Sequence, residues 1–170
     1  MAAPRPATII AAILASASLS IPLIEKWEGK VNDPYRDIAG IETVCYGQTK
    51  TKMKHYTDAE CKKMLKESND QYAADVLALS PTLIDKPKIL AATTSLSYNI
   101  GVENYKKSNT RKMFALGRYK EGCDLILSWN KVTINGKKVV SKGLVNRRMD
   151  EHSLCIEGVK DATENSVRSS

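Results

Sequence analysis

The chain has 170 residues, of which 42% are hydrophobic, which is enough for one domain with a proper core, divided at most into two lobes. Its formal net charge is +7, so an anionic polymer or surface is the natural partner, but one Phe and two Trp give little capacity to stack on bases and no nucleic-acid motif accompanies the lysines. Four cysteines without a Cys-x-x-Cys and two histidines without ligand spacing argue against a zinc site, and no cofactor-binding motif occurs, so neither metal nor cofactor is expected.

In chain order, residues 7–24 carry no charge and lie between Arg5 and Glu25. Five Ile and three Leu make this segment apolar, contributing about −2 to −5 kcal/mol to membrane insertion, and Pro22 and the Ser and Thr residues take part of that back. The segment is just long enough to cross a bilayer. It reads either as a cleaved signal peptide with an Ala15-Ser16-Ala17 cleavage site, or as an uncleaved anchor that later leaves the membrane. A third reading is the buried core helix of a cytosolic protein. Its end overlaps the next element. Ser20 is a candidate N-cap and Pro22 a first-turn residue of a helix that runs to Glu28 and stops at Gly29.

Glu28 opens a pattern of chemical interest. Asp37 follows nine positions on, in a turn-rich segment with Pro34 and Gly40, and Thr43 six positions after that, at the start of a strand Thr43–Tyr46. Glycosidases need one carboxylic acid that keeps its proton and one carboxylate that attacks the sugar or activates water. A helix C-terminus disfavours a carboxylate, so Glu28 is expected to be the proton-bearing acid and Asp37, in a polar turn, the ionised one. The Thr43 hydroxyl would hold a water beside Asp37. Asp33 most simply caps a turn, and Glu42 should face away from Thr43 by strand alternation.

Further along, Thr57-Asp58-Ala59-Glu60 is a capping box opening a long helix that Ser80-Pro81 ends. A nearly all-apolar or small helix from about Pro87 to Ile100 should be the buried centre of a second lobe, with Ser95, Ser97 and Asn99 as core polar residues. Ser108 can cap a helix to Leu116, and another should run from Arg118 to Trp129. Asn135-Gly136 between Val132-Thr133-Ile134 and Val139-Val140 signals a hairpin. A last helix follows Ser141, with Arg147 and Arg148 either touching the cleft or, the favoured reading, in surface ion pairs, and residues 159–170 read as a frayed polar tail.

Glu28-Gly29, Tyr35-Arg36-Asp37 and Thr43-Val44-Cys45-Tyr46-Gly47 together resemble the signature of the phage-type lysozymes, glycoside hydrolase family 24. The likeness extends through Ser97-Tyr98-Asn99-Ile100-Gly101 and Gly143-Leu144-Val145-Asn146-Arg147-Arg148 and so covers residues 20–158. It implies an α+β, mainly α, lysozyme-like fold: a small N-terminal α/β lobe, a long connecting helix and a helical C-terminal lobe. It also implies an endolysin that cuts peptidoglycan between N-acetylmuramic acid and N-acetylglucosamine, with Glu28 as general acid, Asp37 activating water and Thr43 holding it. Tyr105 falls where the family places an aromatic in the glycan cleft. The family usually has His after the hairpin glycine, where this chain has Gln48, so changed packing is expected there.

Residues 1–24 are then an export signal or a releasable anchor of the signal-anchor-release type. The protein would be a monomer that passes from the periplasmic face of the host inner membrane to the periplasm. An even cysteine count fits export, and four cysteines allow three pairings. The Thr43–Gly47 hairpin should neighbour the helix holding Cys61, which favours Cys45–Cys61 and leaves Cys123–Cys155 to tie two C-terminal helices. The rivals are a lytic transglycosylase, which needs Glu28 but no activated water, a basic wall- or membrane-binding module without catalysis, and charge-driven nucleic-acid binding.

Overall fold

The computed structural model describes residues 4–37 and 40–168. Ile38 and Ala39, in the expected turn, and the outermost residues of both termini lie outside this description. α1 spans Pro6–Glu28. An antiparallel pair follows, β1 Val31–Arg36 and β2 Glu42–Cys45, aligned Tyr35 with Thr43 and Arg36 with Glu42. α2, Asp58–Leu79, is the long connecting helix. Its capping box forms as expected: the Glu60 N–H donates to Thr57 Oγ1 and the Thr57 N–H to Glu60 Oε2. The second lobe holds α3 Pro87–Ile100, α4 Val102–Lys107, α5 Asn109–Ala115 and α6 Tyr119–Ile126. The hairpin β3 Lys131–Ile134 and β4 Lys137–Val140 leads into α7, Lys142–Arg168.

The residues divide into two cores. Ile24, Val44, Tyr46, Tyr56 and Leu65 fill the small lobe. Leu83, Ile89, Leu90, Leu96, Phe114 and Ile126 fill the larger one. α3 is the axis of the second core, buried without interruption from Ile89 to Ser97, and packs against α1, α2 and α7. This is the mainly helical α+β architecture expected from the sequence. Both expected disulfides are present, Cys45–Cys61 joining β2 to α2 and Cys123–Cys155 joining α6 to α7.

Two boundaries differ from expectation. α1 does not begin at Ser20; it starts at Pro6 and carries Pro22 in its interior. Pro22 has no N–H to give to the carbonyl of Ser18, and both residues lie on the exposed side of the helix, within reach of solvent. Ser20 is instead fully buried, its hydroxyl 2.6 Å from Asn69 Oδ1 of α2. At the other end the expected frayed tail is helical to Arg168. Gly158 lets α7 approach so closely that a Cβ there would lie 2.9 Å from the Ile89 backbone nitrogen. Val159 packs on the core one residue later, and Lys88 bridges to Glu157 and Asp161.

Candidate active site

Glu28 is the last residue of α1, and Gly29 ends the helix in a left-handed conformation (φ 69°). The Glu28 carboxylate points between the lobes. On one side Gly47, at φ +86°, has no side chain to block it: a Cβ there would lie 3.4 Å from Glu28 Oε2. On the other, Arg147 of α7 places Nη1 2.6 Å from Glu28 Oε1. Arg147 is buried and held in turn: its Nε lies 3.1 Å from Glu151 Oε1 and its Nη2 donates to the Ser95 carbonyl. Glu151 also accepts from the Ser95 hydroxyl and pairs with Arg148, which donates to Asn99. Two guanidinium groups and two carboxylates thus share one mostly dry network between α1, α3 and α7.

Arg147 and Arg148 are therefore not surface residues. Sequence reading preferred surface ion pairs for them over contact with the cleft. Their acids, one on the same helix and one at the far end of the fold, become visible only when the lobes meet. The i,i+4 spacing of Arg147 and Glu151 was the one available signal.

Asp37 and Thr43 converge on one residue. Asp37 Oδ1 accepts from the Ile41 N–H at 2.9 Å, and the Asp37 N–H donates to the Ile41 carbonyl. The Thr43 hydroxyl donates to that same carbonyl at 3.0 Å, and Thr43 is 3% exposed. The turn and the start of β2 thus fix the two side chains relative to each other.

Beside this site runs a groove of about 830 Å³, walled by Gly47 and Gln48 beyond β2, Gln71 and Tyr72 of α2, Tyr98 near the end of α3, and Asn104 of α4. Gln48 packs as a connector: its Nε2 donates to the Tyr98 hydroxyl and its Oε1 accepts from the Tyr46 N–H. Burial first, and the nearby Glu28 charge second, push the Tyr98 phenol well above its usual range. It thus keeps its proton and donates to the Tyr46 carbonyl at 2.6 Å. Tyr105 corrects an expectation. It is fully buried in the second lobe with its hydroxyl 2.7 Å from Ser80 Oγ, and its neighbours Glu103 and Asn104 line the groove instead.

Glu28 at the end of α1 lies beside Gly47 of the groove wall, Asp37 and Thr43 share Ile41 in the adjoining turn, and the chain belongs to the phage lysozyme family, whose model matches residues 25–151. It is a lysozyme-class enzyme of the endolysin kind. Among its relatives, the SAR-endolysin of Pseudomonas phage phiKMV is 41% identical over 132 residues, spanning 76% of this chain and 81% of the relative. The endolysin of Escherichia coli O157:H7 phage FAHEc1 superposes with a TM-score of 0.72 at 30% identity, over 80% of this chain and 89% of that one. The active form of the P1 phage endolysin Lyz shares the fold, with a TM-score of 0.72 at 21% identity over 94% of this chain and 97% of that one.

Proposed function

We propose that the protein hydrolyses the β-1,4 bond between N-acetylmuramic acid and N-acetylglucosamine in bacterial peptidoglycan and so lyses the host cell. The observation that carries this reading is the approach of Glu28 to Gly47 of the groove wall, whose lack of a side chain leaves the carboxylate uncovered on that side. Glu28 acts as general acid on the glycosidic oxygen, and Asp37 activates the water that Thr43 helps to hold. Water enters directly and the anomeric centre inverts, which requires a carboxyl separation of roughly 6.5–9.5 Å once glycan is bound. Arg147 steadies Glu28 between turnovers, and this pair must loosen for Glu28 to carry the proton it delivers.

The same reading places the chain in the inner membrane before it acts, with residues 7–24 as an anchor, and afterwards in the periplasm. Two observations support release over cleavage. Ala12 and Ser16 are buried against the enzyme's own lobes, and Ile9 and Ile13 pack on the second core. Cutting at Ala15-Ser16-Ala17 would strip these contacts from the folded enzyme. Two disulfides suit an oxidising compartment.

The test is digestion of purified peptidoglycan by the full chain in detergent-free, released form, with Glu28→Gln and Asp37→Asn beside it and mass analysis of the fragments. Reducing muramic ends from the wild type, lost in both variants, are expected. Anhydro-sugar products with Asp37→Asn still active would replace hydrolysis with transglycosylation. Lysis undiminished by Glu28→Gln would replace the enzyme with a binding module.

A further inference from the structure

One α7 carboxylate grips the turn that carries Glu28 without touching Glu28 itself. Asp150 Oδ2 lies 2.6 Å from Lys26 Nζ and accepts from Trp27 Nε1 at 3.0 Å. The Lys26 ammonium sits 5.2 Å from the centre of the Trp27 ring, so ammonium, indole and carboxylate close a triangle. Indole N–H is a donor only, and it finds its partner here. Arg147, Asp150 and Glu151 stand at i, i+3 and i+4 of α7 and therefore on one helix face. That face meets three consecutive residues at the end of α1, with Asp150 taking Lys26 and Trp27 and Arg147 taking Glu28.

We infer that Asp150 is a positioning residue for the proposed hydrolysis: by fastening Lys26 and Trp27 to α7 it sets the orientation of the Glu28 carboxylate against Arg147 and the groove. The inference rests on Glu28 being the acid. Stability is a poor explanation for the contact. Side-chain exposures of 59% for Lys26 and 35% for Asp150 make the ion pair a weak stabiliser. Its geometry, by contrast, bears directly on the acid. Without it, the side-chain hydrogen bonds that hold the last turn of α1, among the described residues, are those of Glu28 itself and the more distant Tyr46–Glu25 bond, beside the packing of Ile24. Small displacements of a catalytic group lower rates steeply, up to about a hundredfold for 1 Å. The clamp also has a precondition. Lys26 and Trp27 directly follow the apolar segment, so the triangle closes only when α1 has packed on its lobe.

The experiment compares full-chain Asp150→Ala and Asp150→Asn with wild type on soluble peptidoglycan fragments. Each is also made in a Trp129→Phe background, so that Trp27 is the sole indole. Asp150→Ala should lower kcat roughly tenfold or more, leave KM within about twofold, and leave the thermal midpoint within a few degrees. Asp150→Asn keeps an oxygen that accepts from Trp27, so it should recover most of the loss. Trp27 emission should shift to the red and its anisotropy fall in Asp150→Ala but not in Asp150→Asn. Wild-type kcat in Asp150→Ala overturns the inference, whether or not the fluorescence changes. So does a rate loss accounted for by a drop in folded fraction. Glu28→Gln run in parallel separates the two levels: if it stays active, the assignment of the acid has failed rather than that of Asp150.

Discussion

Arg147 reaches Glu28 across 119 residues of chain, Nη1 to Oε1 at 2.6 Å, and it does so from a side chain only 4% exposed. Its other nitrogens are spent on Glu151 and the Ser95 carbonyl. Removing it would leave fully buried Glu151 with Arg148 as its only cation. Arg147→Met is therefore expected to lower stability by roughly 3–5 kcal/mol, the usual effect of stripping one partner from a buried pair. Arg147→Lys keeps the charge but not the fork and should recover only part of it. Urea unfolding of the three proteins measures this. A Met variant as stable as wild type would mean that Glu151 is satisfied without Arg147.

Gly47 is constrained twice, by its left-handed backbone and by the Glu28 carboxylate 3.4 Å from where a Cβ would stand. Gly47→Ala should lose about 1–2 kcal/mol from the backbone strain alone. Its activity should fall further than that stability loss accounts for, because the new methyl comes into contact with the acid and covers it on that side. Paired thermal melts and peptidoglycan turnover separate the two effects. Equal losses would leave only the strain.

On the proposed anchor-and-release reading, Ser20 meets two solvents. In the folded enzyme its hydroxyl donates to Asn69 at 2.6 Å with both residues fully buried. Ser20→Leu removes that bond and leaves Asn69 short of a partner in a space built for a small side chain. It also makes the segment more apolar in a membrane, by a few tenths of a kcal/mol for the leucine itself. Both changes push toward the bilayer, so a larger share of the chain should sediment with membranes and lysis should be delayed. Fractionation of expressing cells reads this, and an unchanged soluble fraction would show that the two states are not so closely balanced.

The disulfides span 16 and 32 residues. Loop-closure entropy assigns about 3 kcal/mol to the first and about 3.5–4 kcal/mol to the second. Cys123→Ser with Cys155→Ser should thus destabilise somewhat more than Cys45→Ser with Cys61→Ser. Losing Cys45–Cys61, though, should affect catalysis more, since that bridge ties β2, with Thr43 and the Gly47 turn beside it, to α2. Melting and turnover of both double variants test the crossing order.

Local chemistry was legible in the sequence wherever a short range of residues decided the structure. The Thr57–Glu60 box, the Asn135-Gly136 turn with both residues at positive φ, and the Glu28-Gly29 stop all formed as read. The cysteine pairing followed from neighbouring elements. What failed depended on distant partners. Pro22 looked like a helix start because nothing nearby reveals that its missing N–H falls on a wet face. Tyr105 was assigned to the cleft by likeness, yet the turn at Gly101 sends it inward to Ser80. Asp150 drew no notice, because an acid in a charged helix is ordinary until Lys26 and Trp27 are brought against it.

α1 buries Ala12, Ser16, Ala17 and Ser20 along one side while Ile10 and Leu14 stay more than half exposed on the other. Ile9, Ile13, Ile21 and Ile24 join the small residues on the inner side, so each face of the helix is matched to what it meets. Such a helix has two readers and little freedom to please either one. A bulkier inner face would not fit between the lobes, and a more polar outer face would forfeit the bilayer. Drift along this segment should accordingly be confined to swaps among small residues on one side and among aliphatic residues on the other, whereas the hairpin and the far end of α7 are at liberty to diverge.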